Sequence, residues 1–261
     1  PDGNPYLLIL NYPGNPDGIT YGAESVKQLA ETCRKNNIYI LSDEIYGQLH
    51  HEGKHVSIAK YYPEGTIISS GLSKWCGAGG WRLGTFSFPA KLHWLMDAMA
   101  AVASETYTSV SAPIQYAAIQ AFLCGSEIEN YLSHVRKILA LLGKETAAIL
   151  KNGNISVNDP TGGFYLFLDF TPLSEKLVKR GIADGSILCD RLLDECGVAI
   201  LPGVDFNRPA EELSARLSYV DFDGAKALSA SYSIPLHEKF PADFLFQYCG
   251  NVIEAATKIA E

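Results

Sequence analysis

Residues 6–44 read YLLILNYPGNPDGITYGAESVKQLAETCRKNNIYILSDE, and this stretch contains the pattern that decides the fold. A short apolar run at residues 6–10 is followed by a dense set of turn formers. A second short apolar run, at residues 38–41, is typical of a strand. Between them, apolar residues recur at the spacing of one helical face: Val26, Leu29, Ala30 and Cys33. Strand, helix and strand in this order predict a βαβ unit, and therefore a parallel sheet with helices packed on it.

The rest of the chain divides into a continuation of this pattern and a second region. Strands are predicted at residues 66–70 and near 83–88, and helices at 91–103, 113–123 and 126–151. From about residue 152 we predict an α+β domain, with strands near 155–157, 164–169, 199–201 and 216–220 and helices near 186–195 and 242–260. The fold class is thus α/β with a mostly parallel sheet. The predicted domains are residues 1–125, a connecting long helix at 126–152, and a smaller domain at 153–261.

Composition and charge exclude several classes of protein. The chain has 261 residues, of which 47% are hydrophobic and 19% are charged, which is typical of a globular protein rather than a disordered one. The net charge of −8 is opposite in sign to that expected of a nucleic-acid binder. No apolar stretch approaches the roughly 20 residues that a membrane-spanning helix needs. We therefore expect neither nucleic acid nor a membrane as a partner.

The cysteine and histidine residues indicate no metal site. Six scattered cysteines form no Cys-x-x-Cys pair, and we interpret them as reduced thiols of a cytoplasmic protein. The histidine cluster His50, His51 and His55 falls in a polar stretch between two elements. We interpret it as a solvated loop rather than as a set of metal ligands.

Four side chains that can carry chemistry follow predicted strand ends, where ligands bind in open α/β sheets. Lys74 lies among small residues, so a bulky planar ligand can approach its amine, which is suited to forming an imine. Arg82 offers a planar fork of donors that can bind phosphate. Asp43 and Tyr46 follow a buried strand closely enough to lie over the same edge. A carboxylate suits a protonated ring nitrogen, and a phenol suits a ring hydroxyl. Each residue alone has an ordinary structural explanation, so the prediction depends on the set.

Taken together, these motifs resemble those of the class I/II aminotransferases, which are pyridoxal-phosphate enzymes of fold type I. The segment GLSKWCGAGGWRLG at residues 71–84 is similar to the family's lysine-attachment pattern at every position. The element NPDG at residues 15–18 resembles the family's Asn-Pro-Thr-Gly turn, and DEIY at residues 43–46 resembles its Asp-x-x-Tyr element. The resemblance covers essentially the whole chain and continues in GGFY at 162–165, LPG at 201–203 and RLS at 216–218.

The resemblance implies a role for each residue around pyridoxal 5'-phosphate. Lys74 is the expected catalytic residue: it would bind the cofactor covalently and then move the proton between the substrate and the cofactor. Asp43 would pair with the pyridinium nitrogen, so that the ring accepts electrons. Asn15 and Tyr46 would bind the phenolic oxygen of the ring. Arg82 would bind the phosphate.

The resemblance also implies substrates and a partner. Arg216, together with Asn15, is expected to bind the α-carboxylate of the substrate and so to orient the bond that breaks. The substrates would be an amino acid and a 2-oxo acid. The family forms homodimers with the active site at the interface, and Ser109 and Ser111 resemble the segment that approaches the partner's phosphate.

Three features depart from the family pattern. Many relatives carry a phosphate-binding serine three residues before the lysine, where this chain has Gly71, and Ser70 or Ser73 or backbone donors could substitute. Asp17 stands in place of the usual threonine of the turn. The family also has well over a hundred residues upstream of this turn, so we expect the 261 residues to be the trailing part of a longer chain, without the N-terminal part of the large domain.

The first functional hypothesis is a pyridoxal-phosphate-dependent amino-acid aminotransferase with a ping-pong mechanism. A β-lyase or synthase of the same fold would share Lys74, Asp43 and Arg82. An alternative from another class is a non-catalytic fragment or interaction module that retains the fold. A dinucleotide-dependent oxidoreductase is disfavoured, because residues 77–80 lack the Gly-x-Gly-x-x-Gly spacing.

Overall fold

The computed structural model describes residues 5–261, which form two compact units. Unit 1 comprises residues 5–13 and 20–132, and unit 2 comprises residues 14–19 and 133–261. The chain therefore leaves unit 1 for six residues, at the NPDG turn, before it returns. The domain boundaries that the sequence suggested at residues 125 and 152 stay a prediction.

Unit 1 contains the predicted βαβ unit and two further strands. They are β1 (Tyr6–Asn11), α1 (Ala23–Lys35), β2 (Ile38–Asp43), β3 (Thr66–Gly71) and β4 (Gly84–Ser87). The sheet order is β1-β2-β3-β4; the first three strands are parallel, and β4 is antiparallel to β3. The expected mostly parallel sheet is confirmed. Asn11 lies opposite Asp43, and Asp43 lies opposite Ser69, so three carboxyl ends meet at one edge.

The core of unit 1 forms where α1 packs on this sheet. The apolar face that the sequence predicts is buried at Val26, Ala30 and Cys33, and Leu29 packs beside it. Ile40 of β2 and Leu10 of β1 belong to the same cluster. Burial of such aliphatic side chains contributes about 1.5–3 kcal/mol each. The hydrophobic period of the helix thus determines which face of the helix packs on the sheet.

Three helices follow β4, close to their predicted positions: α2 (His93–Thr106), α3 (Ala112–Phe122) and α4 (Ser126–Asn152). No side chain of α2 is buried, although the helix is rich in apolar residues. Trp94 and Val102 keep 66% and 64% of their surface exposed. None of the helices within residues 5–261 combines the length and the apolar character needed to cross a membrane.

Unit 2 is built around a small antiparallel sheet. Its elements are β5 (Tyr165–Asp169), α5 (Ser174–Lys179), α6 (Gly185–Cys196), β6 (Leu201–Pro202), β7 (Ser214–Ser218), α7 (Gly224–Tyr232), α8 (Phe244–Tyr248) and α9 (Gly250–Ala260). The strand order is β5-β7-β6, which makes β7 the central strand. The short β6 lies at an edge, where Pro202 does not need an N–H group for a second neighbour.

Two predicted elements of unit 2 differ in the structure. The strand expected at residues 155–157 is reduced to a single bridge between Ser156 and Asp169. The helix expected at residues 242–260 is two helices, α8 and α9, that meet at Cys249. Cys249 has non-helical backbone angles and is fully buried, and the glycine that follows it favours helix poorly. The free energy gained by burying the Cys249 side chain therefore exceeds that lost by interrupting the helix.

Gly71 is required by the close approach of β3 and β4, whose Gly71 and Gly84 are paired. A Cβ atom at residue 71 would lie 2.6 Å from the carbonyl oxygen of Leu83, which is a backbone atom that cannot rotate away. At Gly84 the nearest atom to an added Cβ would be the carbonyl oxygen of Ser70, at an ordinary 3.7 Å. Only one of the two paired glycines is therefore sterically required.

We expect Gly71→Ala to lower the free energy of unfolding by about 1–3 kcal/mol, because the strands must move apart to admit the methyl group. Gly84→Ala is the matched control and should change stability by less than about 1 kcal/mol. Urea unfolding followed by circular dichroism measures both. Equal losses for the two variants would contradict the steric explanation.

Candidate active site

Asp43 ends β2 at the edge where the three parallel strands finish. The side-chain amide of Asn11 donates to Oδ2 of Asp43 at 3.0 Å, and the backbone N–H of Ile45 donates to Oδ1 at 3.3 Å. Burial raises the pKa of Asp43 above its usual range, the two hydrogen bonds partly offset this, and the negative charge of Glu44 adds to the increase. The ionised carboxylate is therefore imperfectly compensated, and a cationic partner would stabilise it.

Tyr46 and Lys74 lie close to each other near this edge. Tyr46 is only 4% exposed and precedes a tight helical turn at Gly47–Leu49. Lys74 follows β3, and its Nζ atom lies 5.9 Å from the centre of the Tyr46 ring. The structure thus brings an amine close to a phenol, and the Asp43 carboxylate lies three residues before the phenol in the chain. These are three of the predicted site residues.

The loop that carries Lys74 is held by its neighbours. Trp75 is buried with its ring centre 6.0 Å from that of Phe122. The backbone N–H of Gly77 donates to the carbonyl oxygen of Lys74 at 3.2 Å, and Gly77 has the positive φ of 64° that glycine favours. The backbone of Lys74 is therefore fixed, while its side chain remains partly exposed.

Arg82 lies on the same loop but is exposed. Its Nη1 atom donates to the carbonyl oxygen of Gly79 at 3.0 Å, and its own φ is 56°. Such a conformation is uncommon for a residue with a side chain, and it is found most often at turns and ligand sites. Within residues 5–261, no contact joins Arg82 to Asp43, Tyr46 or Lys74.

The departure at Gly71 has a steric reason. Since a Cβ at this position would collide with the backbone of Leu83, the serine that many relatives carry there does not fit this chain. A serine hydroxyl is therefore excluded at this position. Ser70 and Ser73, which the sequence suggested as substitutes, flank the glycine and are both partly exposed.

In unit 2 the structure joins the two residues predicted to meet the substrate. Arg216 lies on β7, and its Nη1 atom donates to Oδ1 of Asn15 at 2.9 Å. The centres of the Tyr165 and Phe206 rings lie 4.6 Å and 4.7 Å from its guanidinium carbon. Its Nε atom is buried without a hydrogen-bond partner among the described residues. Two aromatic faces thus orient the guanidinium and leave donors free for a carboxylate.

The NPDG turn that carries Asn15 belongs to unit 2 because of Gly18. Gly18 has a φ of 67°, and a Cβ there would lie 2.3 Å from the carbonyl oxygen of Tyr165. Asp17, the second departure from the family pattern, accepts a hydrogen bond from the backbone N–H of Ile19 at 3.1 Å. The Asp17 carboxylate therefore closes this turn, and Gly18 allows the turn to pack closely against β5.

The sequence interpretation missed a buried polar group next to Asp43. His55 was expected in a solvated loop, and that expectation was wrong: its side chain is 15% exposed, and its Nε2 atom lies 2.9 Å from Oε2 of Glu44. Ser42 and Ser57 donate to the other oxygen of Glu44, at 2.9 Å and 2.6 Å. The signal available in the sequence was the position of Glu44 directly after the strand end, where a second carboxylate needs partners.

Residues 5–261 contain no group of three or more histidine, cysteine or acidic side chains that could hold a metal ion. All six cysteines are free thiols.

The sequence of the chain matches the family model described as aminotransferase class I and II over residues 1–225. The chain belongs to this family. The aspartate aminotransferase of Bacillus sp. strain YM-2 is 34% identical over 217 residues, which are 81% of this chain and 52% of that protein. The aspartate/prephenate aminotransferase of Thermus thermophilus is 33% identical over 81% of this chain and 51% of its own length. The chain spans about half the length of the curated relatives it matches.

Solved aminotransferase structures confirm the expected α/β fold. Aspartate aminotransferase from Thermus thermophilus, in a structure with maleate, superposes with a TM-score of 0.72 at 29% identity, over 87% of this chain and 55% of the other. An aromatic aminotransferase from Pyrococcus horikoshii gives a TM-score of 0.75 at 24% identity, over 98% and 59%. The second similarity concerns the fold alone.

The Glu44 carboxylate makes a pH-dependent contribution to stability. Burial alone would raise its pKa, but the hydrogen bonds from His55 and Ser57 hold the pKa below the ordinary value of 4.5. The ionised group therefore stabilises the fold above that pH, and this stabilisation is lost as the pH falls below it. We expect Glu44→Gln to lower the free energy of unfolding at neutral pH by about 1.5–3 kcal/mol, with a smaller difference as the pH approaches about 4.

Urea unfolding of both proteins at several pH values measures this difference. Glu52→Gln is the matched control, because Glu52 is exposed and pairs with Lys54. Its effect should be much smaller at every pH. A Glu44→Gln difference that stays constant down to the acidic limit would contradict the assignment to the ionised carboxylate.

Proposed function

We propose that the protein is a pyridoxal-phosphate-dependent aminotransferase that moves an amino group between an amino acid and a 2-oxo acid by a ping-pong mechanism. The observation that carries the proposal is the grouping of Lys74 and Tyr46 near Asp43, at the carboxyl edge of parallel strands, in a chain of this family. Because the chain spans about half the length of its relatives, the proposal concerns the activity of the whole protein.

The donor set fits this cofactor. Asp43 is a partly buried carboxylate that a cation would stabilise, as the protonated nitrogen of a pyridine ring would. Tyr46 offers a phenol for the ring hydroxyl, and Lys74 offers a primary amine. When bound, the cofactor accepts the electron pair that remains when a bond to the substrate α carbon breaks.

Each residue then has a defined task. The Nζ atom of Lys74 would hold the cofactor covalently and, once the substrate amine has taken its place, would move a proton from the α carbon of the substrate to the C4′ carbon of the cofactor. Asp43 keeps the ring nitrogen protonated, and Asn11 keeps Asp43 oriented by its hydrogen bond. Tyr46 donates to the phenolic oxygen. Arg82, with its exposed guanidinium, binds the phosphate.

Arg216 binds the α-carboxylate of the substrate in this proposal. The Nε donor without a partner among the described residues and the two aromatic rings against the guanidinium support the assignment. Asn15 was expected both at the cofactor ring and at the substrate, and its hydrogen bond to Arg216 favours the substrate role. Binding of the carboxylate by both Arg216 and Asn15 would hold the α carbon in one orientation.

Aspartate with a 2-oxo acid acceptor is the first substrate pair to assay, since several relatives are named aspartate aminotransferases. A β-lyase or synthase would use the same Lys74, Asp43 and Arg82. Measuring amino transfer that depends on the oxo acid, against release of ammonia or pyruvate, separates these reactions.

A non-catalytic module that retains the fold is the candidate from another class. Titration of the 261-residue chain with pyridoxal phosphate distinguishes the two. Binding at micromolar or tighter concentration supports a competent site, and no binding supports a module.

A homodimer with the active site at its interface is part of the proposal, as is a cytoplasmic location, which the six free thiols support. The apolar side chains that α2 exposes, Trp94 and Val102 among them, favour contact with a second copy. Light scattering coupled to gel filtration should give twice the mass of one chain. The mass of a single chain at high protein concentration would refute the dimer.

Lys74→Ala should abolish both the visible absorbance of bound pyridoxal phosphate and oxo-acid-dependent amino transfer, because the amine that binds the cofactor is lost. Absorbance spectra and a coupled transfer assay measure the two effects. A Lys74→Ala protein that still transfers amino groups would refute the proposed function.

Two further variants serve as controls for this experiment. Lys54→Ala removes an exposed lysine that pairs with Glu52, and should leave absorbance and transfer unchanged. Arg216→Gln should keep the visible absorbance, but raise the KM for the amino acid about a hundredfold, because it removes a charged partner of the carboxylate.

A further inference from the structure

A closed cluster of polar side chains lies in unit 1 on the far side of β2 from Asp43. We call it the Glu44 cluster; its members are Tyr12, Ser42, Glu44, His55 and Ser57. The Glu44 carboxylate is 10% exposed and has three partners: the hydroxyl groups of Ser42 and Ser57 and Nε2 of His55. The roles proposed above for Asp43, Tyr46 and Lys74 use none of these side chains.

The geometry of the strand end separates the two neighbouring carboxylates. Side chains alternate between the faces of a strand, so Ser42 shares a face with Glu44, and Asp43 has the opposite one. The backbone N–H of Glu44 donates to the carbonyl oxygen of Ser69 on β3 at 2.9 Å, which keeps this residue in register with the sheet. Any displacement of the Glu44 side chain therefore acts on the backbone that carries Asp43.

His55 connects this strand end to two other parts of unit 1. Its ring centre lies 5.0 Å from that of Tyr12, which directly follows the Asn11 that holds Asp43. Its ring also closes the space above Gly47, where an added Cβ would lie 2.9 Å from the ring. Gly47 is the residue after Tyr46. His55 thus contacts the neighbours of both residues that are proposed to hold the cofactor ring.

The Tyr12 hydroxyl fixes the segment that carries His55. It donates to the carbonyl oxygen of Val56 at 3.0 Å and accepts from the backbone N–H of Ile58 at 2.7 Å. Since Ser57 binds Glu44, residues 55–58 are held from both sides. His55 has little freedom to follow a displaced partner.

We propose that His55, through its hydrogen bond to Glu44, is a positioning residue that keeps Asp43 and Tyr46 in the geometry needed to hold the cofactor ring. The inference rests on the proposed function, because it concerns the same site. His55 touches neither cofactor nor substrate. It acts through Glu44 on one side, and through its contacts with Gly47 and Tyr12 on the other.

Stability alone does not explain such a cluster, because burying its polar groups costs free energy that apolar side chains would not. Burying a carboxylate requires compensation by several hydrogen bonds, and apolar side chains of similar volume often stabilise a fold as well or better. The Nδ1 atom of His55 is itself buried without a partner among the described residues, which adds to the cost. Hydrogen bonds are directional, however, and three of them on one carboxylate fix its position more narrowly than packing does. Narrow positioning matters at a site where a displacement of about 1 Å costs about a hundredfold in rate.

The test compares His55→Leu with His55→Gln in the full protein. Leucine fills part of the space but cannot donate to Glu44, whereas glutamine offers an amide donor in place of Nε2. Two properties are measured by titration: the apparent Kd for pyridoxal phosphate, and the pH midpoint of the visible absorbance of the Lys74-linked cofactor. Thermal unfolding of each protein without cofactor reports any effect on the fold.

We expect His55→Leu to weaken pyridoxal phosphate binding about tenfold and to raise the absorbance midpoint by about one pH unit. A well-placed Asp43 would keep the ring nitrogen protonated, and a well-placed Tyr46 would donate a hydrogen bond to the phenolic oxygen; both lower the electron density at the linked nitrogen and so lower the midpoint. His55→Gln should return both properties most of the way to those of the unchanged protein. A purely structural histidine would lower the unfolding temperature but leave the midpoint of the folded, loaded protein where it was, and that result would overturn the proposal.

If His55→Leu does not fold, the Glu44→Gln variant tests the same proposal. It preserves the size of the side chain but weakens the interaction with His55, and its midpoint should rise in the same direction. An unchanged midpoint in this variant would equally overturn the proposal. Failure of the proposed function is a separate result: the unchanged protein would then show no Lys74-dependent absorbance at all.

Discussion

The in-register pairing of three parallel strands at Asn11, Asp43 and Ser69 is the constraint on which the site in unit 1 depends. In-register pairing places these residues side by side, and the Asn11 amide then reaches the Asp43 carboxylate within the sheet's own geometry. A shift of one residue would turn every side chain to the opposite face. The hydrophobic pattern of β1, β2 and α1 therefore controls the chemistry at the edge, although none of its members takes part in that chemistry.

The second consequence of this edge is a pair of adjacent carboxylates with opposite environments. Burial raises the pKa of Asp43, whereas the hydrogen bonds of Glu44 outweigh its burial and hold its pKa below the ordinary value. The structure thus compensates the charge of Glu44 more fully than that of Asp43. Sites of this kind lower the stability of the empty protein, because part of the compensation comes from a ligand.

Much of this arrangement could be predicted from the sequence, because it follows from local patterns. Periodicity located β1, α1 and β2, and the motifs around Lys74 and Asp43 identified residues that the fold brings near one edge. Two helix starts, at Asp184 before α6 and at Asp223 before α7, also carry a capping signal: each side chain accepts from a backbone N–H three residues later. The α7 signal was in the sequence, but no helix was predicted there.

What could not be predicted depends on contacts between residues far apart in the chain. The need for Gly71 comes from the carbonyl oxygen of Leu83 across a strand pair, and the burial of His55 comes from Glu44, eleven residues earlier. The break between α8 and α9 at Cys249 follows from burial that only the packed structure defines. A polar stretch with three histidines predicts a solvent-exposed loop, unless the buried partner of one of these histidines is already known.

Arg216 illustrates a different solution from that of Glu44. Three hydrogen bonds satisfy the Glu44 carboxylate, whereas the Arg216 guanidinium is oriented by the faces of Tyr165 and Phe206 and by one bond to Asn15. Aromatic faces attract the cation without accepting its N–H groups in the guanidinium plane, so orientation is achieved and donors remain. A residue that must stay in place needs all its partners within the protein. A residue that must bind a carboxylate needs its position fixed by groups that do not compete with that ligand, and the arrangement around Arg216 meets this requirement.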